Sequence, residues 1–379
     1  MSVDIYWRIS MEGEPSALRY GTATRGGFAP DRPGNIAPRP EPGDTHTPVD
    51  YMAEVVRASE SSGFVGGLLP SFPETDDPWA AASELAAESE TYRFMIAFQP
   101  GFLHPVQAAR MSATLQLATG GRVVYNIISG GGGPQQLWWG DKVAHDDRYA
   151  RTSEFLDVLK GIWNNPSFDF DGRFFRTEGG HLPEELRDQR FPEIFFSGSS
   201  PAAIDAAGRH ADYYLSWLEP FAPLTEKFAA VRRHADASGL KSPKFAVRVD
   251  VLARETEEEA WDEIRRGWER REGRHVGETG DARKAGESVG WARSQQFGAG
   301  NAAGGYRELE IAPNVWGGFD QLRPGPAFGL VGDYHQVAER LDELMNLGVD
   351  AFILAGVPHL EEARRVGRQV LPLLKGRIS

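Results

Sequence analysis

LRPGPAFGLVGDYHQVAERLDELMNLGVDAFILAGVPHLEEARRVGRQVLPLL, residues 322–374, is the stretch that decides the fold class. Asp333 is a good helix N-cap, and the apolar residues after it recur at helical spacing. Gly348 stands where a helix ends. The apolar run 351–355 predicts a strand buried on both faces, and Pro358 opens a second helix with acidic residues in its first turn. A helix, a buried strand and a helix are the closing unit of a parallel α/β fold.

Seven further strands, each followed by a helix, are predicted upstream of this unit. The predicted strands are residues 5–9, 64–69, 93–98, 122–129, 193–196, 213–217 and 245–253. The predicted helices are residues 49–62, 79–90, 105–119, 148–164, 200–210 and 224–238. Eight alternating units predict a single (β/α)₈ TIM barrel over residues 1–379. Active sites of such barrels lie at the C-terminal ends of the strands, which places His359 at the mouth.

Two segments interrupt this pattern. Residues 13–48 hold many Gly and Pro residues and almost no apolar periodicity, and so long a loop is typical of an insertion or of a functional segment. Residues 256–272 are predicted to form a charged helix after the seventh strand. Residues 273–307, which follow, are polar and rich in Gly, and they predict a mobile lid over the mouth. A surface insertion without that role is the alternative.

Composition excludes several classes of protein. The net charge of −13 argues against a nucleic-acid surface. The absence of cysteine excludes disulfides, thiolate metal sites and a Cys nucleophile, and no His, Asp and Glu residues have metal-ligand spacing. The N-terminus lacks the pattern of a signal peptide, and no apolar run approaches the roughly 20 residues of a membrane span. We therefore expect a cytoplasmic enzyme without a metal.

Two strand ends carry small residues suited to an anion or a planar ring. Residues 122–133, RVVYNIISGGGG, are a strand that runs into four glycines, whose backbone amides can approach a phosphate closely. Residues 195–201, FFSGSSP, end a strand in hydroxyl residues and open a helix with proline. Free amides and the hydroxyls of Ser199 and Ser200 predict an anion site. A simple turn and an ordinary N-cap are the alternatives.

The strand at 245–253 carries a charged pair inside an apolar run. Arg248 and Asp250 are two residues apart, so both point to the same side of the strand. This spacing favours an anion-binding arginine that Asp250 partly neutralises, and a structural ion pair is the alternative. Trp217 ends the preceding strand and either stacks on a ligand or packs against the barrel.

Together these segments resemble the FMNH₂-dependent alkanesulfonate monooxygenases of the bacterial luciferase-like superfamily. The segments that carry the resemblance are 109–130, 146–155, 196–203, 213–220, 308–318, 329–333 and 356–367. The resemblance implies a barrel that uses O₂ and FMN reduced by a separate NAD(P)H:flavin reductase. It implies cleavage of the C–S bond of an organosulfur substrate, in particular a sulfonate, to an aldehyde or ketone and sulfite. It also implies a homodimer or homotetramer.

The resemblance assigns roles residue by residue. The implied cofactor-binding residues are Asn126, Ser129, Tyr149, Gly198, Ser199 and Ser200. The implied substrate-binding residues are Glu12, Trp217, Arg248, Asp250, Arg323 and Val357. Arg248, His359 and Thr75 are the implied catalytic residues, and no metal is implied.

Four of these positions depart from the family pattern. Thr75 stands where the family has Cys, and Val357 stands where it has Tyr; Glu12 and Asp250 each replace His. Two added carboxylates weaken an anion pocket, so a larger, neutral or cationic substrate is compatible with this sequence. The alternatives are hydroxylation or Baeyer–Villiger oxidation of a non-sulfonate metabolite, a non-catalytic flavin-binding barrel, and a dehydrogenase that uses the deazaflavin F420.

Overall fold

The computed structural model describes residues 2–9, 11, 48–71, 75–130, 134–271, 289–298, 305–322 and 325–379. Glu12, Arg323 and nearly all of the predicted loop 13–48 lie outside this part of the chain. The predicted lid 273–307 is described only at 289–298 and 305–307.

Thirteen strands occur in the described residues. They are β1 Asp4–Arg8, β2 Gly66–Leu69, β3 Arg93–Phe98, β4 Val123–Ile127, β5 Phe168–Asp171, β6 Arg176–Gly180, β7 Glu193–Ser197, β8 Tyr213–Trp217, β9 Lys244–Arg254, β10 Glu310–Ala312, β11 Val315–Trp316, β12 Gly329–Asp333 and β13 Ala351–Ala355. Eight of them are parallel neighbours in the order β1, β2, β3, β4, β7, β8, β9, β13, and β13 pairs again with β1 from Asp4↔Ala351 to Trp7↔Leu354. The sheet is therefore closed, and the predicted (β/α)₈ barrel is confirmed.

Helices surround the barrel. Those described are α1 Pro48–Ser61, α2 Pro78–Leu85, α3 Pro105–Thr119, α4 Pro134–Trp138, α5 His145–Asn164, α6 Pro201–His210, α7 Phe221–Ala237, α8 Glu257–Arg271, α9 Val289–Gly298, α10 Phe319–Leu322, α11 Tyr334–Asn346 and α12 His359–Gln369. None of these helices is both long and apolar enough to span a membrane. The predicted helix 79–90 ends early, at Leu85, and continues as the 3₁₀ turn Ala86–Glu88.

The side chains inside the barrel change from apolar to polar toward the C-terminal ends of the strands. Its lower part is apolar and contains Tyr6, Leu68, Met95, Ala97, Val124, Phe195, Tyr213, Leu215, Ala246, Ala351 and Ile353. Side chains two residues further along a strand point to the same side. The residues at those next inward positions are Arg8, Asn126, Ser197, Trp217, Arg248 and Ala355, with Asp250 beyond Arg248. A polar layer therefore covers an apolar floor at the C-terminal ends of the strands.

Two structures at the periphery were absent from the predicted pattern. β5 and β6 form an antiparallel hairpin beside the barrel. β12, the segment GLVGD, extends the parallel sheet along the far end of β9, from Gly329↔Asp250 to Asp333↔Arg254. Gly329 is required there because a Cβ would lie 2.5 Å from the carbonyl oxygen of Asp250. A segment with two glycines in five residues carries little strand propensity, which is why the pattern did not predict β12.

The capping predicted for the helix after Asp333 is confirmed. The Asp333 carboxylate accepts a hydrogen bond of 2.8 Å from the backbone N–H of Gln336, and the Gln336 side chain accepts one of 2.8 Å from the Asp333 N–H. α11 ends at Asn346, and Gly348 follows in the left-handed region with φ 97°. This reciprocal cap fixes where β12 ends and where α11 begins.

We expect Asp333→Ala to lower the free energy of unfolding by about 1 kcal/mol, because the backbone N–H of Gln336 loses its capping acceptor. Glu339→Ala is the matched control, since Glu339 is an exposed residue on the same helix. Urea unfolding followed by circular dichroism measures both variants. Equal stability of the two variants would contradict this account of the cap.

Candidate active site

The loop Ser197–Ser200 forms a tight cradle at the end of β7. Gly198 has φ 147°, and a Cβ there would lie 2.5 Å from Ala203 Cβ and 2.9 Å from Tyr149 Oη. Tyr214 Oη donates a 2.6 Å hydrogen bond to the carbonyl oxygen of Gly198. Both the backbone conformation and the available space therefore require glycine at this position.

Hydroxyl groups surround this cradle at the N-terminus of α6. Ser200 is buried, and its Oγ caps the helix by accepting a 3.2 Å hydrogen bond from Ala203 N–H. Burial raises the pKa of Tyr149, opposed by its hydrogen bond with Ser200, and burial raises the pKa of Tyr214, opposed by its hydrogen bond with Ser199. Both phenols are therefore protonated near neutral pH. The helix terminus and these hydroxyls suit a phosphate group.

Asn126 and Ser129 lie on the neighbouring strand end. Asn126 is a buried inward residue of β4, and within the described residues its Oδ1 has no hydrogen-bond partner. Ser129 is also buried, and its Oγ shares a 3.1 Å hydrogen bond with Thr152 Oγ1 of α5. A buried amide oxygen without a partner is costly unless a ligand pairs with it. The amide beside a phosphate cradle fits a cofactor that carries a phosphate and a planar ring, such as FMN.

Arg248 and Asp250 form a buried ion pair. Arg248 Nη2 donates to Asp250 Oδ1 at 3.0 Å, and Nη1 lies 3.0 Å from Oδ2. Both side chains are more than nine-tenths buried. The prediction that they point to one side is confirmed, and the pairing brings the positive charge of Arg248 against a carboxylate. An arginine held in this way is a poor ligand for a second anion.

His359 is buried at the start of α12 and contacts the first strand. Its Nε2 lies 3.2 Å from Arg8 Nη1, and its carbonyl oxygen accepts a 3.1 Å hydrogen bond from Trp7 Nε1. Arg8 is not among the site residues predicted from the sequence. The available signal was a charged residue two positions after the inward Tyr6, directly after the apolar middle of the strand.

Of the remaining predicted site residues, one lies beside Arg248 and two lie elsewhere. Trp217 ends β8 half-buried, with its Cα opposite that of Arg248 in the sheet. Thr75 is half-buried, and its Oγ1 donates a 3.4 Å hydrogen bond to the carbonyl oxygen of Pro70. Val357 is buried in a second hydrophobic cluster, which also contains Trp261 and Trp316. Trp217 and Arg248 thus lie together, whereas Val357 packs against the aromatic cluster outside the barrel.

α9, inside the predicted lid, is anchored next to Trp217. Arg293 donates two hydrogen bonds to the Glu219 carboxylate, at 3.1 and 2.7 Å, and Lys227 donates a third. Burial alone would raise the pKa of Glu219, but the hydrogen bonds and charges of Arg293 and Lys227 lower it below its usual value. Ser294 Oγ accepts a 3.2 Å hydrogen bond from Ala327 N–H. This part of the insertion packs at the mouth; the predicted mobility of the lid stays a prediction.

Residues 26–351 match the sequence profile of the luciferase-like monooxygenase family. The match spans well over half of the chain, so the protein belongs to this family. The alkanesulfonate branch that the sequence resembles is a finer assignment, which this match does not make.

Three solved structures illustrate the shared barrel. Long-chain alkane monooxygenase (LadA) is 19% identical with a TM-score of 0.72, covering 100% of this chain and 92% of that one. EDTA monooxygenase (EmoA) from Chelativorans sp. BNC1 is 17% identical with a TM-score of 0.69, covering 100% and 94%. The oxygenating constituent of 3,6-diketocamphane monooxygenase from Pseudomonas putida, in complex with FMN, is 18% identical with a TM-score of 0.66, covering 93% and 98%. At these identities the similarity shows the fold alone.

We expect Asp250→Leu to destabilise the protein by about 3 kcal/mol, because Arg248 would then be a buried cation without its carboxylate. The double variant Arg248→Met plus Asp250→Leu should recover most of that loss, since the buried cation and its carboxylate are removed together. Chemical unfolding of the two single variants and the double variant measures the coupling. Additive losses in the double variant would show that the two side chains are not energetically coupled.

Proposed function

We propose that this protein is the oxygenating component of a two-component monooxygenase. It takes FMN reduced by a separate NAD(P)H:flavin reductase, and it uses O₂ to oxidise an organic substrate. The observation that carries the proposal is the cradle at Ser197–Ser200, which lies beside the buried amide of Asn126. The binding of FMN by 3,6-diketocamphane monooxygenase, which has the same fold, supports the choice of cofactor.

Each residue of the cradle has a defined task in this proposal. The hydroxyls of Ser199, Ser200 and Tyr149 and the first amides of α6 hold the phosphate. Asn126 presents its amide to the polar edge of the ring. Reduced FMN, when bound, supplies the activation of O₂. The chain orients the substrate and excludes water, which the closely packed barrel floor below the polar layer favours.

For the substrate, we propose a compound without a negative charge at the reacting group, which is hydroxylated or undergoes Baeyer–Villiger oxidation. One oxygen atom of O₂ enters the product and the other leaves as water. The observation that favours this substrate is the Arg248–Asp250 pair, because a sulfonate at Arg248 would meet the Asp250 carboxylate. Placing two like charges a few ångströms apart in a buried site costs several kcal/mol.

Cleavage of a sulfonate to an aldehyde or ketone and sulfite is the second candidate. Trp217 and His359 occupy the positions that match the sulfonate pocket of the alkanesulfonate enzymes. Arg8 beside His359 adds a cation on β1, which one strand, β13, separates from Arg248 on β9. In this second candidate the sulfonate of a larger organosulfur substrate contacts Arg8 instead of the Arg248–Asp250 pair.

The test combines the purified protein with an FMN reductase, NADH, FMN and ¹⁸O₂. We expect ¹⁸O in the product of a neutral substrate and no sulfite from short alkyl sulfonates. Sulfite release from these sulfonates with efficient turnover would support the second candidate instead. Tight flavin binding with no product across neutral compounds and sulfonates would indicate a non-catalytic flavin-binding barrel.

We expect Gly198→Ala to weaken FMN binding at least tenfold, because the added Cβ would push Tyr149 and Ala203 apart at the phosphate cradle. Gly239→Ala is the matched control: Gly239 also has a positive φ, 65°, but no heavy atom lies within 4 Å of its Cβ position. Flavin fluorescence titration measures both variants. A parallel titration with F420 tests the cofactor choice, and tighter binding of F420 than of FMN would contradict the proposal.

A further inference from the structure

Gln99 is the first residue after β3 and lies at the barrel mouth. Ala97 belongs to the apolar interior of the barrel, whereas the ring of Phe98 packs outward, 5.3 Å from that of Trp79 on α2. Pro100 follows Gln99, and a residue before proline is held in the extended conformation. The alternation of the strand therefore continues through Gln99, whose side chain occupies the next inward position after Ala97.

The adjacent strand β4 places Asn126 next to this position. The Cα of Ala97 is opposite that of Asn126, and one step further Ile128 N–H donates a 3.1 Å hydrogen bond to the carbonyl oxygen of Phe98. Ile128 packs against the interior cluster, so it also points inward. Gln99 thus lies beside Ile128 and one row above Asn126, on strands roughly 4.8 Å apart.

Both side chains carry a buried amide oxygen that has no partner. Gln99 Oε1 and Asn126 Oδ1 are each enclosed by the protein, and no N–H or O–H group in the described part of the chain donates to them. The main chain of Gln99 is used, since its carbonyl oxygen accepts a 3.4 Å hydrogen bond from Phe102 N–H. A buried acceptor without a partner costs free energy, and a bound molecule that pairs with it removes that cost. Two such oxygens at adjacent strand ends indicate a ligand with hydrogen-bonding groups along one edge.

The amide pair, Gln99 and Asn126, lies on the cradle's side of the barrel and opposite the charged residues. β4 is the neighbour of β7, which carries the cradle, and β3 is the neighbour of β4. β9, which carries the Arg248–Asp250 pair, is four strands from β3 in either direction around the closed sheet. An uncharged edge of the cofactor suits the amide pair, and the opposite wall is then left for the substrate.

We propose that Gln99 is a further cofactor-binding residue, which holds the pyrimidine edge of the flavin ring together with Asn126. The inference rests on the proposed function. That edge carries an N–H between two carbonyl oxygens, in oxidised and in reduced flavin alike. A primary amide offers an acceptor oxygen and two N–H donors, so it is complementary to such an edge. The two amides hold and orient the ring without any change in their own charge.

The test titrates the full chain with FMN and with N3-methyl-FMN, in which a methyl group replaces the hydrogen of that N–H. It follows flavin fluorescence and requires no turnover. We expect the wild-type protein to bind the analogue about tenfold more weakly than FMN, which is the effect of roughly one hydrogen bond. Equal affinity for the two flavins would overturn the proposal. No binding of FMN at all would overturn the proposed function as well.

Gln99→Leu separates a role in binding from a structural one. We expect this variant to bind FMN about tenfold more weakly and to discriminate against the analogue only about threefold, because both changes remove hydrogen bonds at one edge. Urea unfolding should show no loss of stability without flavin, since the substitution removes an unpaired buried oxygen. Gln107→Leu, at an exposed position on α3, is the matched control and should equal the wild type in all three measurements.

Two results with the variants would overturn the inference while leaving the proposed function intact. The first is an FMN affinity, or a preference for FMN over the analogue, that is unchanged in Gln99→Leu although the wild type binds FMN. The second is a loss of stability without flavin that Gln99→Met, with a side chain of the same length, shares. That loss would show that Gln99 supports the fold instead of the cofactor.

Discussion

Closure of the parallel sheet between β1 and β13 is the constraint on which the site depends. Closure gives every strand an inside face, and the period of two along each strand fixes which residues occupy it. Because all eight strands run in one direction, their C-terminal ends meet at one mouth. Closure also brings Arg8 against His359, from opposite ends of the chain. Neither the polar layer nor the apolar floor below it would exist in an open sheet.

The fold was predictable because its signals are local. Buried strands, most of them four to six residues long, alternate with amphipathic helices, and caps such as Asp333 mark where a helix begins. The phosphate cradle was predictable for a similar reason, since glycine, serine and proline at a strand end imply a tight turn into a helix. The same-side placement of Arg248 and Asp250 followed from their spacing alone.

What the sequence could not supply depends on distant contacts. The contact of Arg8 with the His359 ring exists only once β1 and β13 are neighbours, so nothing near Arg8 in sequence indicates it. β12 forms because the long β9 offers a free edge to GLVGD, despite two glycines. α9 lies in a polar segment, and its position depends on the buried carboxylate of Glu219, about seventy residues earlier. Spacing alone also left open whether Arg248 would bind Asp250 or a ligand.

The resemblance and the geometry give different information about the substrate. The residues that the resemblance assigns to the flavin agree with the family pattern and lie at neighbouring strand ends, whereas several of those it assigns to the substrate depart from that pattern. Asp250 is the departure with the clearest physical effect, because it pairs with the arginine that matches a sulfonate ligand. The proposed function therefore combines a retained cofactor site with a changed charge in the substrate site, as expected when a barrel keeps its chemistry and changes its substrate.

A structure of the protein in complex with FMN tests the central claim most directly. The account predicts the phosphate at the N-terminus of α6, within hydrogen-bond distance of Ser199, Ser200 and Tyr149, and the ring edge paired with the amide of Asn126. A phosphate bound elsewhere, or a ring that leaves the Asn126 amide without a partner, would contradict it.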